Sequence, residues 1–265
     1  MQSTMINGVA IHHRFVSLSP GRPTIVFINS LGTDFRIWDA VVEKFSGEYN
    51  ILLHDKRSHG LSGDGPTPVT MADFVADLEQ LLDQHGIRQA VLCGLSIGGI
   101  IAIGLAARRP DLACALILCN TAPKVGTPEA WAERIAAVRA GGIEGISEMV
   151  LSRWFTPGFR TAGNAAYQMA RNMLIRQSAK GYMDTCAALA ATDYRADAAR
   201  LALPAICIAG DHDQATPPAI VKEMSEMIPG SAYRLIAGCG HIPCIERPGE
   251  LAVVMKEFLD GIAAR

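Results

Sequence analysis

Val91-Leu92-Cys93-Gly94-Leu95-Ser96-Ile97-Gly98-Gly99-Ile100-Ile101 carries an apolar run of strand character into a serine with glycine two positions to either side, and small aliphatic residues of helical character follow. This G-x-S-x-G pattern places a serine at the tip of a sharp strand-to-helix turn. Side chains at Gly94 and Gly98 would collide there with the neighbouring strand and helix. The hydroxyl is then exposed at the carboxyl end of a sheet. The helix starting at Ile97 points free backbone N–H groups at the space in front of Ser96, where negative charge can be held.

The rest of the chain is organised around this element. Its 265 residues fit one large domain or two small ones, and 49% of them are apolar, ample for a two-sided core. With 24 Lys and Arg against 26 Asp and Glu, interspersed, there is no basic field for nucleic acid and no polybasic run for a membrane. A small-molecule partner is expected. Residues Met1 to His13 lack a charged segment leading into an apolar core, and no apolar run reaches membrane-spanning length, so the expected location is the cytoplasm. Seven cysteines, several inside apolar runs, read as free buried thiols. No CxxC pair or metal-ligand histidine spacing occurs, so no metal is expected.

Ile6 to Phe15 predicts a hairpin around Asn7-Gly8. Strands are predicted at Thr24–Ile28, Asn50–Asp55, Ala90–Leu95, Cys114–Cys119 and Pro204–Ala209, in runs that read as buried, and a further strand at Ala232–Ile236. Helices alternate with them, one starting at Thr70 with Asp73 at capping-box distance, and the last running from Pro248 to Ile262. Such alternation demands a mostly parallel, eight-stranded α/β sheet with helices on both faces. The alternation breaks after Thr121-Ala122-Pro123. Up to about Arg200 the pattern is only helical, punctuated at Gly141-Gly142, Pro157-Gly158 and Gly163. The expected organisation is one integrated domain, a core of residues 1–122 and 201–265 with an inserted helical cap at 123–200. The Ala-rich cap is compatible with a homo-oligomeric contact.

A serine hydroxyl needs a neighbouring base, usually a histidine held by a carboxylate. The strand ending at Ala209 runs into Gly210-Asp211-His212-Asp213-Gln214-Ala215-Thr216-Pro217, and the strand ending at Ile236 into Gly238-Cys239-Gly240-His241. Ser96, an aspartate and His241 thus fall at strand ends in the order that accompanies this elbow. Asp211 competes with Asp213 as the orienting acid. An acid directly at a strand end more often closes its own turn, which favours Asp213. Two N–H donors for an oxyanion are expected at Ile97, after the serine, and at Leu31, in the loop after the third strand.

These residues make the chain resemble the α/β-hydrolase superfamily over its full length. Asn29-Ser30-Leu31-Gly32-Thr33-Asp34, the segment Arg153-Trp154-Phe155-Thr156-Pro157 and the stretch Gly210 to Pro218 look more closely like 3-oxoadipate enol-lactonases. The resemblance implies hydrolysis of the enol lactone of 3-oxoadipate, a late step in the β-ketoadipate route of bacterial aromatic degradation. It implies no cofactor, and an acid at the position of Asp213. A carboxylesterase, lactonase or perhydrolase acting on another small ester is the alternative of the same fold. One departure is Arg57-Ser58-His59-Gly60, where the family usually has Arg-Gly-His-Gly. A small substrate carrying a carboxylate asks for aromatic walls and a cation from the cap. Trp131, Arg134, Arg153 and Trp154 are the candidates.

Overall fold

The hairpin at the start of the chain sets the edge of the sheet. In this computed structural model, which describes residues 2–19 and 21–263, β1 (Gln2–Ile6) and β2 (Val9–Val16) pair antiparallel. Asn7 (φ 47°) and Gly8 (φ 79°) both take the left-handed conformation that a two-residue hairpin turn requires. The remaining six strands are short apolar runs bounded by glycine or polar residues, the first five almost entirely buried and the last, at the edge of the sheet, largely half-buried or exposed. They are β3 (Thr24–Ile28), β4 (Asn50–His54), β5 (Ala90–Leu95), β6 (Ala113–Cys119), β7 (Ala205–Gly210) and β8 (Ala232–Ile236).

The eight strands lie in the order β1-β2-β4-β3-β5-β6-β7-β8, with β2 antiparallel to both neighbours and every other pair parallel. This is the predicted mostly parallel α/β sheet. The helices between and after the strands are α1 (Asp39–Phe45), α2 (Met71–Gln84), α3 (Ile97–Arg108), α8 (Pro218–Met227), α9 (Pro243–Glu246) and α10 (Pro248–Ala263). α1 packs on α10 and α2 on α3, covering the two faces of the sheet. At the start of α2 the Asp73 carboxylate accepts the Thr70 N–H at 2.8 Å, as the capping-box spacing predicts.

Between β6 and β7 the chain forms α4 (Pro128–Trp154), α5 (Ala165–Ile175), α6 (Ala179–Ala190) and α7 (Arg195–Ala198). α4 is two helical segments joined at Gly142, whose φ of 67° and ψ of −177° break the helix. Among the described residues no helix is long and apolar enough to cross a membrane. The connections from β3 and β5 leave in opposite directions from adjacent strands, which opens a crevice at their carboxyl ends. The candidate site lies there.

Candidate active site

Ser96 stands between β5 and α3 with φ 57° and ψ −122°, outside the conformations an L-residue adopts without strain. Close packing holds it in place. A Cβ at Gly94 would run into the Gly98–Gly99 backbone, and one at Gly98 into the Ile28 carbonyl of β3. Ser96 N–H donates to the Cys119 carbonyl at 3.0 Å and its own carbonyl accepts Thr121 Oγ1 at 2.6 Å, so the turn is tied to the end of β6.

His241 comes from the loop after β8 and is 2% exposed. Its Nδ1 lies 2.8 Å from Asp213 Oδ2. With a carboxylate as acceptor the ring proton sits on Nδ1, which leaves the Nε2 lone pair free to take a proton. Asp213 also accepts Asn120 Nδ2 at 2.8 Å, Thr216 Oγ1 at 2.7 Å, and the backbone N–H groups of Ala215 and Thr216 at 2.7 and 3.0 Å. Burial opposes the charge of this carboxyl, but the His241 ring and the hydrogen bonds outweigh it and hold its pKa below the usual aspartate value. Asp211 is directed elsewhere. Its Oδ1 accepts the Cys239 N–H at 3.0 Å and closes the turn between β7 and the His241 loop.

The loop after β3 is held from several sides. Asn29 Nδ2 donates to the Thr33 carbonyl, and the Ser30 carbonyl accepts Thr33 Oγ1 at 2.9 Å and the buried Lys56 Nζ at 2.6 Å. Asp34 N–H donates to Met173 Sδ of α5 at 3.2 Å. Among the described residues, the N–H groups of Leu31 and Ile97 have no backbone or side-chain acceptor. Both residues line a cavity of about 150 Å³ that Ser96 and His241 also line. No hydrogen bond joins the Ser96 and His241 side chains, and such contacts often tighten only when substrate is bound.

The structure brings the sequence-predicted residues together. Ser96, Ile97, Leu31, His241, Trp131, Arg134, Arg153 and Trp154 all line this one cavity, with Asp213 behind His241. Val125, Val150, Tyr182 and Leu189 complete its walls. Trp131 Nε1 donates to the Val125 carbonyl at 2.7 Å, which fixes the indole. Arg134 Nη1 donates to Tyr182 Oη at 3.1 Å, and neither Arg134 nor Arg153 has an acidic partner among the described residues. Burial pushes the Tyr182 phenol up to about 12, so it stays neutral.

The Trp154 carbonyl accepts the His241 N–H at 2.7 Å, a backbone contact that side-chain reasoning about Trp154 does not reveal. Asn120, Thr216 and Tyr182 are also absent from the sequence-predicted set. Asn120 carried one usable signal, a polar residue directly after a buried strand. Ser58, the departure noted above, does not line the cavity. Among the described residues no cluster of three or more His, Cys, Asp or Glu side chains is arranged to hold a metal ion.

The family profile described as alpha/beta hydrolase fold matches residues 23–248. A protein of Acinetobacter baylyi named 3-oxoadipate enol-lactonase 2 is 34% identical over 241 residues, 89% of this chain and 90% of that one. The crystal structure of the enol-lactonase from Burkholderia xenovorans LB400 superposes with a TM-score of 0.94 at 34% identity, covering 98% of this chain and 100% of that chain. A pimeloyl-[acyl-carrier protein] methyl ester esterase of Chromobacterium violaceum is 26% identical over 253 residues, 93% of this chain and 98% of that one.

Proposed function

The chain belongs to the α/β-hydrolase family, and on that premise we propose that it opens the enol lactone of 3-oxoadipate with Ser96 as nucleophile, His241 as base and Asp213 as orienting acid. The observation that carries this reading is the cavity. It joins Ser96 and His241 to two arginines without acidic partners and has no carboxylate in its lining. A small ester bearing its own carboxylate complements that arrangement, because the anion meets Arg134 or Arg153 while the carbonyl faces Ser96. The helices between β6 and β7 serve as a cap over the site, and the setting is cytoplasmic aromatic-compound degradation.

In the proposed reaction His241 Nε2 takes the Ser96 proton as Oγ attacks the lactone carbonyl. The Leu31 and Ile97 N–H groups receive the oxyanion. Collapse breaks the ring C–O bond, and His241 returns its proton to the departing enol oxygen. A water then gives a proton to His241 and attacks the acyl group. Ser96 leaves with that proton, and the product is released as a carboxylate. The enol is a stable leaving group that rearranges to its ketone, which makes ring opening irreversible.

The test is a comparison of kcat/KM for the enol lactone with that for p-nitrophenyl acetate and for lactones lacking a carboxylate. The expected preference for the enol lactone is about a hundredfold or more, the range a buried charge pair confers. A wide preference for the uncharged substrates would overturn the specificity. Ser96→Ala should lower kcat by about four orders of magnitude or more. Retention of most activity would overturn the mechanism.

A further inference from the structure

Lys56 follows β4 and is 2% exposed. Burying an amine among apolar atoms is costly, and a hydrophobic side chain of the same length would hold the fold at least as well. Burial pushes its pKa well below the usual lysine range, against the pull of Asp55 and Asp34. In either protonation state the nitrogen still carries hydrogens to donate. Its one hydrogen bond among the described residues runs to the Ser30 carbonyl at 2.6 Å. That carbonyl also accepts Thr33 Oγ1 at 2.9 Å and Thr33 N–H at 3.4 Å, so the loop keeps ties of its own when Lys56 is replaced, and Lys56 adds the one charged or amine donor to this peptide.

The Ser30 carbonyl is half of the peptide unit whose N–H belongs to Leu31. In a planar trans peptide C=O and N–H point in opposite directions. A donor that grips the oxygen from the protein side therefore aims the N–H away from itself, and Leu31 lines the cavity with Ser96. A hydrogen bond to the oxygen also polarises the peptide and makes its N–H a stronger donor. We infer that Lys56 is a positioning residue of the oxyanion hole, holding and polarising the Ser30–Leu31 peptide so that the Leu31 N–H meets the charge that develops on the substrate carbonyl oxygen. This rests on the reading of Ser96 as nucleophile and Leu31 as oxyanion donor.

The role separates from a structural one because it acts on the transition state alone. Lys56→Met should lower kcat by about tenfold to a hundredfold, less than removal of an oxyanion donor outright, while KM stays within about threefold of wild type. A boronic acid, whose adduct with Ser96 Oγ is a tetrahedral anion, should bind more weakly by the same factor as kcat falls. Lys56→Arg and Lys56→Gln retain N–H donors, and at least one should recover part of the loss. Thermal unfolding should stay near the wild-type midpoint. A folded Lys56→Met protein with wild-type kcat and boronate affinity would overturn the inference. So would a loss confined to KM, or one that neither donor variant recovers. If Lys56→Met does not fold, Lys56→Leu, which also lacks a donor, carries the same kcat and boronate comparison with the same criteria. Ser96→Ala in parallel separates the two levels. Activity there removes the nucleophile reading itself, whereas an inactive Ser96→Ala beside a fully active Lys56→Met removes only the role of Lys56.

Discussion

Ser96 is kept in a strained backbone by neighbours that leave no room for anything larger than glycine at 94 and 98. Ser58 shows the same economy without a part in the cavity. It takes φ 61°, the left-handed conformation that a glycine adopts freely, at a cost of about 1 kcal/mol. Its Cβ packs where Gly181 of α6 has no side chain, and a Cβ at 181 would collide with it. The serine is thus accommodated across two elements, while Arg57 beside it keeps a bidentate pair with Asp77 at 2.6 and 2.7 Å. Asp211 and Asp213 differ by two positions in sequence, and spacing alone does not separate them. The turn does, by directing Asp211 onto Cys239 N–H and Asp213 onto His241. Asp213→Asn should therefore lower kcat by about three to four orders of magnitude, and Asp211→Asn by less than tenfold with some loss of stability. Steady-state rates and thermal midpoints of the two variants decide this, and a larger rate loss at Asp211 would reverse the assignment. Asn120 and Thr216 escape sequence reading for the same physical reason, since their partners are assembled only by the end of β6 meeting the β7 loop.

The strands were legible as elements because each is a short apolar run bounded by glycine or polar residues, and the long helices because their apolar faces repeat. The one-turn elements were not. The 3-10 turn Phe35–Trp38 and α9 depend on contacts with distant parts of the chain, such as the Phe35 N–H bond to Asp55 Oδ1 at 2.9 Å. α4 shows both sides of this. Gly141-Gly142 announced a break, but nothing local announced that the carbonyl at the far end of the helix would hold the His241 backbone. Glu246 of α9 strengthens that junction, with one carboxyl oxygen accepting the Gly240 N–H at 2.7 Å and the other the Thr156 N–H at 3.0 Å. Glu246→Ala leaves two backbone N–H groups and the Thr156 hydroxyl without their acceptor. It should cost about 2–4 kcal/mol in urea unfolding and lower kcat through a displaced His241. Glu246→Gln, which keeps one acceptor, should lose less. Unchanged unfolding in Glu246→Ala would show that the junction carries no stability.

At the scale of the whole molecule, several histidines are folded in as neutral groups. Burial, with Lys56 close by, pushes His54 down to about 3 and His59 well below the usual imidazole value. Below pH 6.5 the unfolded chain binds protons at these sites and the native protein does not. Their contribution to stability is therefore complete above pH 6.5 and is lost as the pH falls toward 3, at about 1.4 kcal/mol per pH unit for each histidine. Asp213, with its pKa depressed, keeps its contribution down to about pH 4 and loses it below. Urea unfolding from pH 7 to 4 should show the histidine slope, and His54→Leu should flatten it. An unchanged slope in that variant would mean that His54 is not the source. The architecture was readable from alternating patterns because a sheet is built from local runs, whereas the sharing of one cavity by residues from seven separate loops and helices is a property of the closed chain. The break at Gly142 gives that closure a direction. Residues 143–154 bury one face, through Ile143, Ile146, Val150, Leu151 and Trp154, and end on the His241 backbone, whereas residues 128–141 are mostly exposed and carry Trp131 and Arg134. The two halves of α4 differ as a hinge leaf differs from its jamb. On the proposed reading of His241 as base, swinging the second half would drag that group out of place, so an opening that spares the chemistry is expected on the side of Trp131 and Arg134.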